Sequence, residues 1–257
     1  MEWMIIGIAG FLGGMLNAVA GGGSFITLPA LIFVGVSPVS ANATGAAALL
    51  PGYIVSAWRF RHDIEFPASL NFPVIMLISV SGGCLGAAIL LMTSEQLFSV
   101  LIPWLIMLAT AAFIVGPRLL QKKKTSMEKF ECDRETSSLR VFTTCLALFT
   151  VCVYGGYFNG GLGIILLAAL GLTGQTNLLG MNGVKNLISA LITAVAVAVY
   201  AAGGTISEEH LFLLGVMAVL GGYAGAAFAY RIPQHVLRGI IVLIGCLMSA
   251  AFFFSEI

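Results

Sequence analysis

The stretch Ile78–Ala88, ISVSGGCLGAA, recurs later in the chain as Met217–Ala227, MAVLGGYAGAA. Without a gap, the same offset places Ala111-Ala112-Phe113 on Ala250-Ala251-Phe252. Both Ile78–Ala88 and Met217–Ala227 contain a G-x-x-x-G pattern inside an apolar run. This pattern lets two membrane helices approach closely. We therefore predict two homologous halves, and we expect the glycines of this pattern to be packing positions.

The composition is that of a membrane protein. Of the 257 residues, 59% are hydrophobic and 9% are charged, whereas a soluble domain carries about 25% charged residues. The mean hydropathy is +1.03. The N-terminus lacks the basic region of a removable signal peptide, and the five cysteines form no C-x-x-C pair. We expect the lipid bilayer as the environment, and we expect no nucleic acid, metal or cofactor as a partner.

One long polar segment divides the chain, at residues 118–140, with the sequence RLLQKKKTSMEKFECDRETSSLR. It holds seven of the twelve Lys and Arg residues, so the positive-inside rule places it in the cytoplasm. We predict a first transmembrane repeat at residues 1–117, a cytoplasmic linker at 118–140 and a second repeat at 141–257. The protein is then a multi-pass protein of the cell (inner) membrane.

Each half shows the same series of apolar segments, in which the second is too short for a full crossing of about 20 residues. The segments are Met4–Val19, Phe25–Val34, Ala41–Ala57, Phe72–Leu91 and Leu97–Val115 in the first half, and Val141–Phe158, Ile164–Leu172, Leu178–Ala202, Leu211–Tyr230 and Val236–Phe254 in the second. We predict an all-α polytopic membrane protein in which each half contains a glycine-broken helix and a short half-helix.

The charges of the connecting loops favour inverted repeats. Arg59 and Arg61 follow the third segment, whereas the corresponding loop Gly203–His210 contains no Lys or Arg. The next loop shows the reverse distribution. The turn Thr93–Gln96 of the first half contains no Lys or Arg, whereas Arg231 and Arg238 flank the corresponding turn of the second half. Equivalent loops then lie on opposite sides of the membrane, with both termini outside. Four crossings per half with a re-entrant short segment would instead give parallel repeats, and the sequence leaves this alternative open.

Two glycine-rich breaks occupy matching places in the halves. Gly21-Gly22-Gly23-Ser24 follows the first segment, and Asn159-Gly160-Gly161-Leu162-Gly163 follows its counterpart. Glycine runs unwind helices, and irregular backbone is tolerated in a membrane where it lines a cavity or is buried in protein. Short interrupted segments at matching positions point to a transport site, and N–H groups at the start of the next helix can bind an anion. Close helix packing is the alternative explanation.

A polar cluster follows each break. Lys185 is a single charge within a long apolar stretch, and all eleven acidic residues lie at the chain ends or in short polar breaks. A buried cation without an internal anion suggests that the anion is the cargo. Asn42 and Asn182 occupy equivalent positions, and they could offer amide donors to one small oxyanion, with Thr44 or Lys185 one turn away. A Lys that snorkels to the headgroups and Asn residues that cap helices are the alternatives.

The candidate binding residues are Gly21, Gly22, Gly23, Ser24, Asn42, Thr44, Asn159, Gly160, Gly161, Gly163, Asn182, Lys185 and Asn186.

The run Gly21–Leu31, GGGSFITLPAL, followed by Ser40–Gly45, SANATG, resembles the signature of the sulfite exporter TauE/SafE family, also called the 4-toluenesulfonate uptake permease family. The second copy is similar, but it has Ala169 in place of the proline and Lys185-Asn186 in place of small hydroxyl residues. The resemblance covers essentially the whole chain. It implies a transporter, and specifically an exporter, of sulfur-containing anions such as sulfite or organosulfonates. The spacing of the residues does not by itself select sulfur.

We expect a secondary transporter that works by alternating access around a mid-membrane site, with an anion channel as the alternative. A membrane-embedded enzyme fits less well, because His62, His210 and His235 lie in or beside polar loops and no acidic residue is embedded. No nucleotide-binding motif is present. The anion would therefore move down its own gradient, or with a proton that it carries itself. A homodimer is left open.

Overall fold

The computed structural model describes residues 1–62, 64, 66, 70–127, 138–172, 175, 178–229 and 234–254. These residues form ten α-helices and no strand. The helices are α1 (Glu2–Ala20), α2 (Ser24–Phe33), α3 (Pro38–Arg59), α4 (Phe72–Met92), α5 (Glu95–Met127), α6 (Ser138–Tyr157), α7 (Leu162–Leu172), α8 (Leu178–Ala202), α9 (Glu208–Ala229) and α10 (Gln234–Phe254).

The predicted all-α fold is confirmed, and each predicted apolar segment corresponds to one helix, with bounds that agree to within a few residues apart from the end of α5. Stretches long and apolar enough to cross a bilayer occur at Phe72–Met92, Glu95–Ala112 and Gly180–Ala202. Helices α2 and α7 have 10 and 11 residues, so neither can cross alone. The predicted polar linker is partly helical, because α5 continues to Met127 and α6 begins at Ser138. Its central part lies outside the described residues.

The two halves of the chain interlock through glycine-lined helix pairs, since α1 packs along α9 and α6 packs along α4. A Cβ added at Gly225 would lie 2.5 Å from the carbonyl oxygen of Met15, and one added at Gly82 would lie 2.6 Å from the Cβ of Cys152. Gly221 faces Phe11 in the same close way. The G-x-x-x-G glycines are thus packing positions, as predicted. Gly221 contacts Phe11 and Gly225 contacts Met15, so the residue numbers of both helices increase in the same direction. Helices α1 and α9 are therefore parallel.

Helices α3 and α8, which are equivalent in the two halves, pack against each other in opposite directions. At one end, a Cβ added at Gly183 would lie 3.3 Å from the carbonyl oxygen of Phe60. At the other end, the Ser40 hydroxyl donates to the carbonyl of Thr205 at 2.6 Å. The start of α8 therefore lies beside the end of α3.

The other directly packed equivalent pair, α5 and α10, shows the same relation. The Ser249 hydroxyl donates to the carbonyl of Pro103 at 3.2 Å, and Gly245 lies against Thr110. The earlier residue of α10 thus contacts the later residue of α5, so these two helices also run in opposite directions.

The helix ends define two faces of the bundle. Glu95, at the start of α5, accepts hydrogen bonds from the Ser37 hydroxyl at 2.8 Å and from the Val39 N–H at 2.9 Å. The Trp3 ring stacks on His210, near the start of α9, at 5.7 Å. The N-terminus and the starts of α3, α5 and α9 thus share one face, which we call the terminal face. The end of α3 and the start of α8 lie at the opposite face, which we call the linker face.

Candidate functional site

The two glycine breaks adopt the same backbone conformation and touch each other. Gly21 and Gly161, which the sequence comparison pairs, have φ angles of 79° and 73°, in the left-handed region that favours glycine. The Gly21 N–H bonds to the carbonyl of Asn17 at 2.9 Å and ends α1. A Cβ added at Gly21 would lie 2.6 Å from the Cα of Gly163. The predicted breaks therefore meet inside the bundle.

After the first break, α2 turns back along α1. A Cβ added at Gly13 would lie 2.6 Å from the Thr27 methyl group, and one added at Gly23 would lie 2.8 Å from the Cβ of Asn17. Helices α1 and α2 therefore form a hairpin whose turn is the glycine break. In the second half, α7 begins against α6, where a Cβ added at Gly155 would lie 2.5 Å from Leu162.

The backbone amides at the breaks offer fewer donors to an anion than the sequence suggests. The N–H of Phe25 bonds to the carbonyl of Gly22 at 3.0 Å, and the N–H of Ile26 bonds to that of Gly23 at 3.1 Å. In the second half, the N–H of Ile164 bonds to Gly161 at 3.0 Å. Side chains therefore have to supply much of any anion site.

A polar cluster of three side chains lies where the breaks meet. The Tyr53 hydroxyl donates to the Oδ1 of Asn159 at 3.3 Å, and the side chain of Asn17 faces the same hydroxyl. Asn17 and Asn159 are each 3% exposed. Within the described residues, the Oδ1 of Asn17 and the Nδ2 of Asn159 have no hydrogen-bond partner. Of these three residues, only Asn159 was predicted from the sequence, and Asn17 and Tyr53 were not.

Asn42 and Asn182 are not brought together, which contradicts the prediction that both bind one anion. Asn42 lies near the start of α3 and donates from Nδ2 to the carbonyl of Tyr157 at 3.1 Å. Asn182 lies beside Gly183, which contacts the end of α3. The reason is the opposite direction of α3 and α8, which places equivalent residues at opposite faces of the bundle.

Thr44, another candidate, has a structural contact. Its hydroxyl oxygen accepts the N–H of Ser207 at 2.9 Å, next to the bond between Ser40 and Thr205. These bonds join the start of α3 to the loop between α8 and α9 at the terminal face. Thr44 therefore holds two elements together, and we do not include it in the anion site.

Lys185 is fully buried, with 0% of its surface exposed. A snorkelling Lys would extend its amino group to the surface, so the burial argues against that alternative. Apolar residues of the same helix, Val184 and Ile188, are also buried. Among the residues that the structure describes, the Nζ of Lys185 has no hydrogen-bond partner. The structure thus contains an enclosed cation that an anion could neutralise.

The side chains next to Lys185 along α8 are also buried and polar. Asn186, Ser189 and Thr193 are each 0–1% exposed, and both amide atoms of Asn186 and both hydroxyls lack a partner in the described part of the chain. Of these three residues, only Asn186 was predicted from the sequence. The signal was available, because Lys185, Ser189 and Thr193 recur every four residues and so share a helix face.

Broken helices that meet inside an apolar helical bundle, surrounded by buried polar side chains, are the architecture of a membrane transporter. The chain belongs to the sulfite exporter TauE/SafE family, whose family model matches residues 6–252. The resemblance noted in the sequence is therefore confirmed.

The relatives are similar over nearly their whole length. A probable membrane transporter protein of Haemophilus influenzae is 24% identical over 98% of this chain and 94% of its own. The probable membrane transporter protein YfcA of Escherichia coli is 23% identical over 98% and 91%. The probable membrane transporter protein ORF9 of a Sinorhizobium species is 21% identical over 94% and 88%. No solved structure matches the chain.

Proposed function

We propose that this protein is a secondary transporter that exports small sulfur-containing anions, such as sulfite or organosulfonates, across the cell (inner) membrane. The observation that carries the proposal is Lys185, a fully buried cation without a partner among the described residues. An embedded charge is costly, by about 2.5–3.5 kcal/mol on insertion scales, and it usually marks a substrate pathway. The choice of sulfur rests on the family alone.

The proposed anion pathway has three parts that follow one another across the bundle. Asn42 lies towards the terminal face, the cluster of Asn17, Tyr53 and Asn159 lies at the two breaks, and Lys185 lies towards the linker face. At the glycine breaks, the backbone of both halves lies close to this central cluster. Side chains and break glycines in this pathway include Gly21, Gly22, Gly23, Ser24, Asn159, Gly160, Gly161, Gly163, Asn182, Lys185 and Asn186.

The two halves are inverted repeats in this proposal. The antiparallel packing of α3 with α8 and of α5 with α10 supports inversion, because these are equivalent helices. A re-entrant short segment would give parallel repeats only if the helix before it crossed the membrane. Since α2 turns back along α1, the two helices count as one re-entrant hairpin. Three crossings then remain in each half, α3 to α5 in the first and α8 to α10 in the second, and an odd number produces inversion.

With the basic linker in the cytoplasm, both termini are outside. Labelling of single cysteines on a cysteine-free background tests this orientation. The variant Glu208→Cys should react from outside, and Gln121→Cys should react only after permeabilisation. Reaction of the second variant from outside would overturn the orientation, and equal sidedness of Arg61→Cys and Glu208→Cys would overturn the inversion.

Export is the direction that the membrane potential favours. A negative-inside potential drives an anion outwards by about 2.3 kcal/mol per charge per 100 mV. Within the described residues no group of acidic, His and Cys side chains could hold a metal ion, and the proposal needs no catalytic step.

Alternating access distinguishes the proposed carrier from a channel, because a carrier accelerates uptake of labelled anion when unlabelled anion is present on the other side.

Flux of labelled sulfite into proteoliposomes tests the proposed function. We expect saturable uptake, faster when the vesicles are preloaded with unlabelled sulfite, and no uptake in protein-free vesicles. Conductive flux without this acceleration would indicate a channel. Correctly inserted protein that carries neither sulfite nor an organosulfonate would refute the proposal.

A further inference from the structure

The polar residues of α8 lie on one face of the helix. At 3.6 residues per turn, Asn182, Lys185, Asn186, Ser189 and Thr193 fall within an arc of about 100°. From Lys185 to Thr193 the helix rises by about 12 Å. The polar face is therefore a continuous strip rather than a single site.

Contacts of the neighbouring α8 residues show where this face points. On one side of it, Ile192 meets Gly83 of α4, where a Cβ added to the glycine would lie 3.2 Å from the Cα of Ile192. On the other side, Ala190 belongs to the buried group that contains Tyr53 of α3. Tyr200 lies on the polar face itself, and its hydroxyl donates to the carbonyl of Gly156. The face thus points into the bundle, towards the end of α6 and the second glycine break.

Ser189 and Thr193 differ from several other helical hydroxyls of this protein, and they share the lack of a partner with Thr27 of α2. Ser or Thr in an apolar helix usually bonds back to the carbonyl four residues earlier. Ser79, Thr110 and Thr150 do so, with bonds of 2.7, 2.8 and 2.9 Å to Ile75, Ile106 and Leu146, respectively. The hydroxyls of Ser189 and Thr193 have no partner in the described ranges, although the same carbonyl positions exist on α8. Among the described residues, these two donors are therefore free to bond to a ligand.

An unpaired buried polar group destabilises the folded protein, and α8 carries several on one face. The equivalent positions of α3 are Gly45, Leu49 and Tyr53 for Lys185, Ser189 and Thr193. Thr193 thus has a polar equivalent in Tyr53, whereas Lys185 and Ser189 have apolar ones. The strip of α8 therefore carries hydrogen-bond donors at two positions, Lys185 and Ser189, where α3 has none.

We infer that Ser189 and Thr193 bind the transported anion and continue the site of Lys185 and Asn186 towards the glycine breaks. The ligand class is an oxyanion with several oxygen atoms, because a hydroxyl, an amide and an ammonium along one strip can each donate to a different oxygen. This inference rests on the proposed function and adds the residues that form the linker-face half of the pathway.

Sulfite binding to purified variants tests the inference. Hydrogen bonds to a charged ligand are the strong ones, so Ser189→Ala and Thr193→Val should each weaken sulfite binding about tenfold to one-hundredfold. Thr193→Ser keeps the hydroxyl and should bind sulfite as the wild type does. Ser79→Ala and Thr110→Val are matched controls, because they remove buried hydroxyls that are bonded to their own helix, and they should leave sulfite affinity unchanged.

Melting temperature in the absence of anion gives a second readout. Removal of an unpaired buried hydroxyl should leave the melting temperature of Ser189→Ala and Thr193→Val unchanged or higher, and removal of a paired one should lower it in the controls. A lower melting temperature, or failure to fold, in both α8 variants would overturn the inference. Wild-type sulfite affinity in both would also overturn it, and the proposed function would survive if Lys185→Gln still lost affinity. Wild-type protein that neither binds nor transports sulfite would refute the proposed function itself.

Discussion

Replacement of Lys185 by Gln removes the buried charge while it keeps much of the side-chain volume and a hydrogen-bond donor. Lys185 is fully enclosed and unpaired within the described residues, so an anion beside it would form a charge-assisted hydrogen bond in a dry environment. Such bonds contribute about 1.5–3 kcal/mol. The dissociation constant for sulfite should therefore rise by one to two decades, at about 1.4 kcal/mol per decade.

The effect of Lys185→Gln on thermal stability should depend on whether sulfite is present. Without anion, Lys185→Gln should be as stable as the wild type or more stable, because a costly embedded charge has been removed. At a sulfite concentration of 100 times the wild-type dissociation constant, the ligand stabilises the wild type by about 2.7 kcal/mol. The weakened variant should gain only about 0.4–1.4 kcal/mol at that concentration.

Calorimetric titration and melting curves, measured on one preparation of each variant, check both effects. Arg61→Gln is the control, because Arg61 is exposed and its guanidinium lies over the Trp58 ring at 4.4 Å. This control should bind sulfite normally. Unchanged sulfite affinity in Lys185→Gln, together with a loss of stability, would show that Lys185 is structural and would refute the reasoning.

Three further substitutions test the glycine break, the central polar cluster and the terminal face. Gly21→Ala should abolish sulfite flux, because it combines a φ of 79° with a contact of 2.6 Å to Gly163. Gly52→Ala is the control and should transport, since a Cβ added at Gly52 would meet nothing within 4 Å. Tyr53→Phe should mainly lower sulfite affinity and have little effect on the melting temperature. A lower melting temperature with unchanged sulfite affinity would show that this hydroxyl is not part of the anion site. Glu95→Gln should lower the melting temperature, because an anion near a helix N-terminus contributes about 0.3–1 kcal/mol, while an unchanged melting temperature would show that the charge has no structural role.

Much of the fold could be predicted because bilayer physics limits the choices. Apolar segments predicted the helices, and the repeated stretches at Ile78–Ala88 and Met217–Ala227 identified the glycines that pack α4 on α6 and α9 on α1. The comparison of the halves also placed Gly21 and Gly161 at matching breaks, and the structure adds that both have left-handed φ angles. These features depend on local sequence and on the similarity of the two copies.

The assembly of the site could not be predicted in the same way. Asn42 and Asn182 occupy equivalent positions, and this equivalence suggested that they bind one anion together. The antiparallel packing of α3 and α8 separates them, and no local pattern specifies which helix pairs will touch. Tyr53 and Asn17 were missed for a related reason, because each is unremarkable in its own helix and becomes part of a site only where the breaks meet.

The most direct test of the central claim is to locate a bound oxyanion. Selenite is a close analogue of sulfite, and its selenium scatters anomalously, so crystals grown with selenite would show its position without a prior assumption about the site. The account predicts an anomalous peak within hydrogen-bond distance of the Nζ of Lys185 or along the strip to Thr193, and no such peak in Lys185→Gln crystals. A peak elsewhere in the bundle, with the Lys185 side chain packed only by apolar groups, would contradict the account.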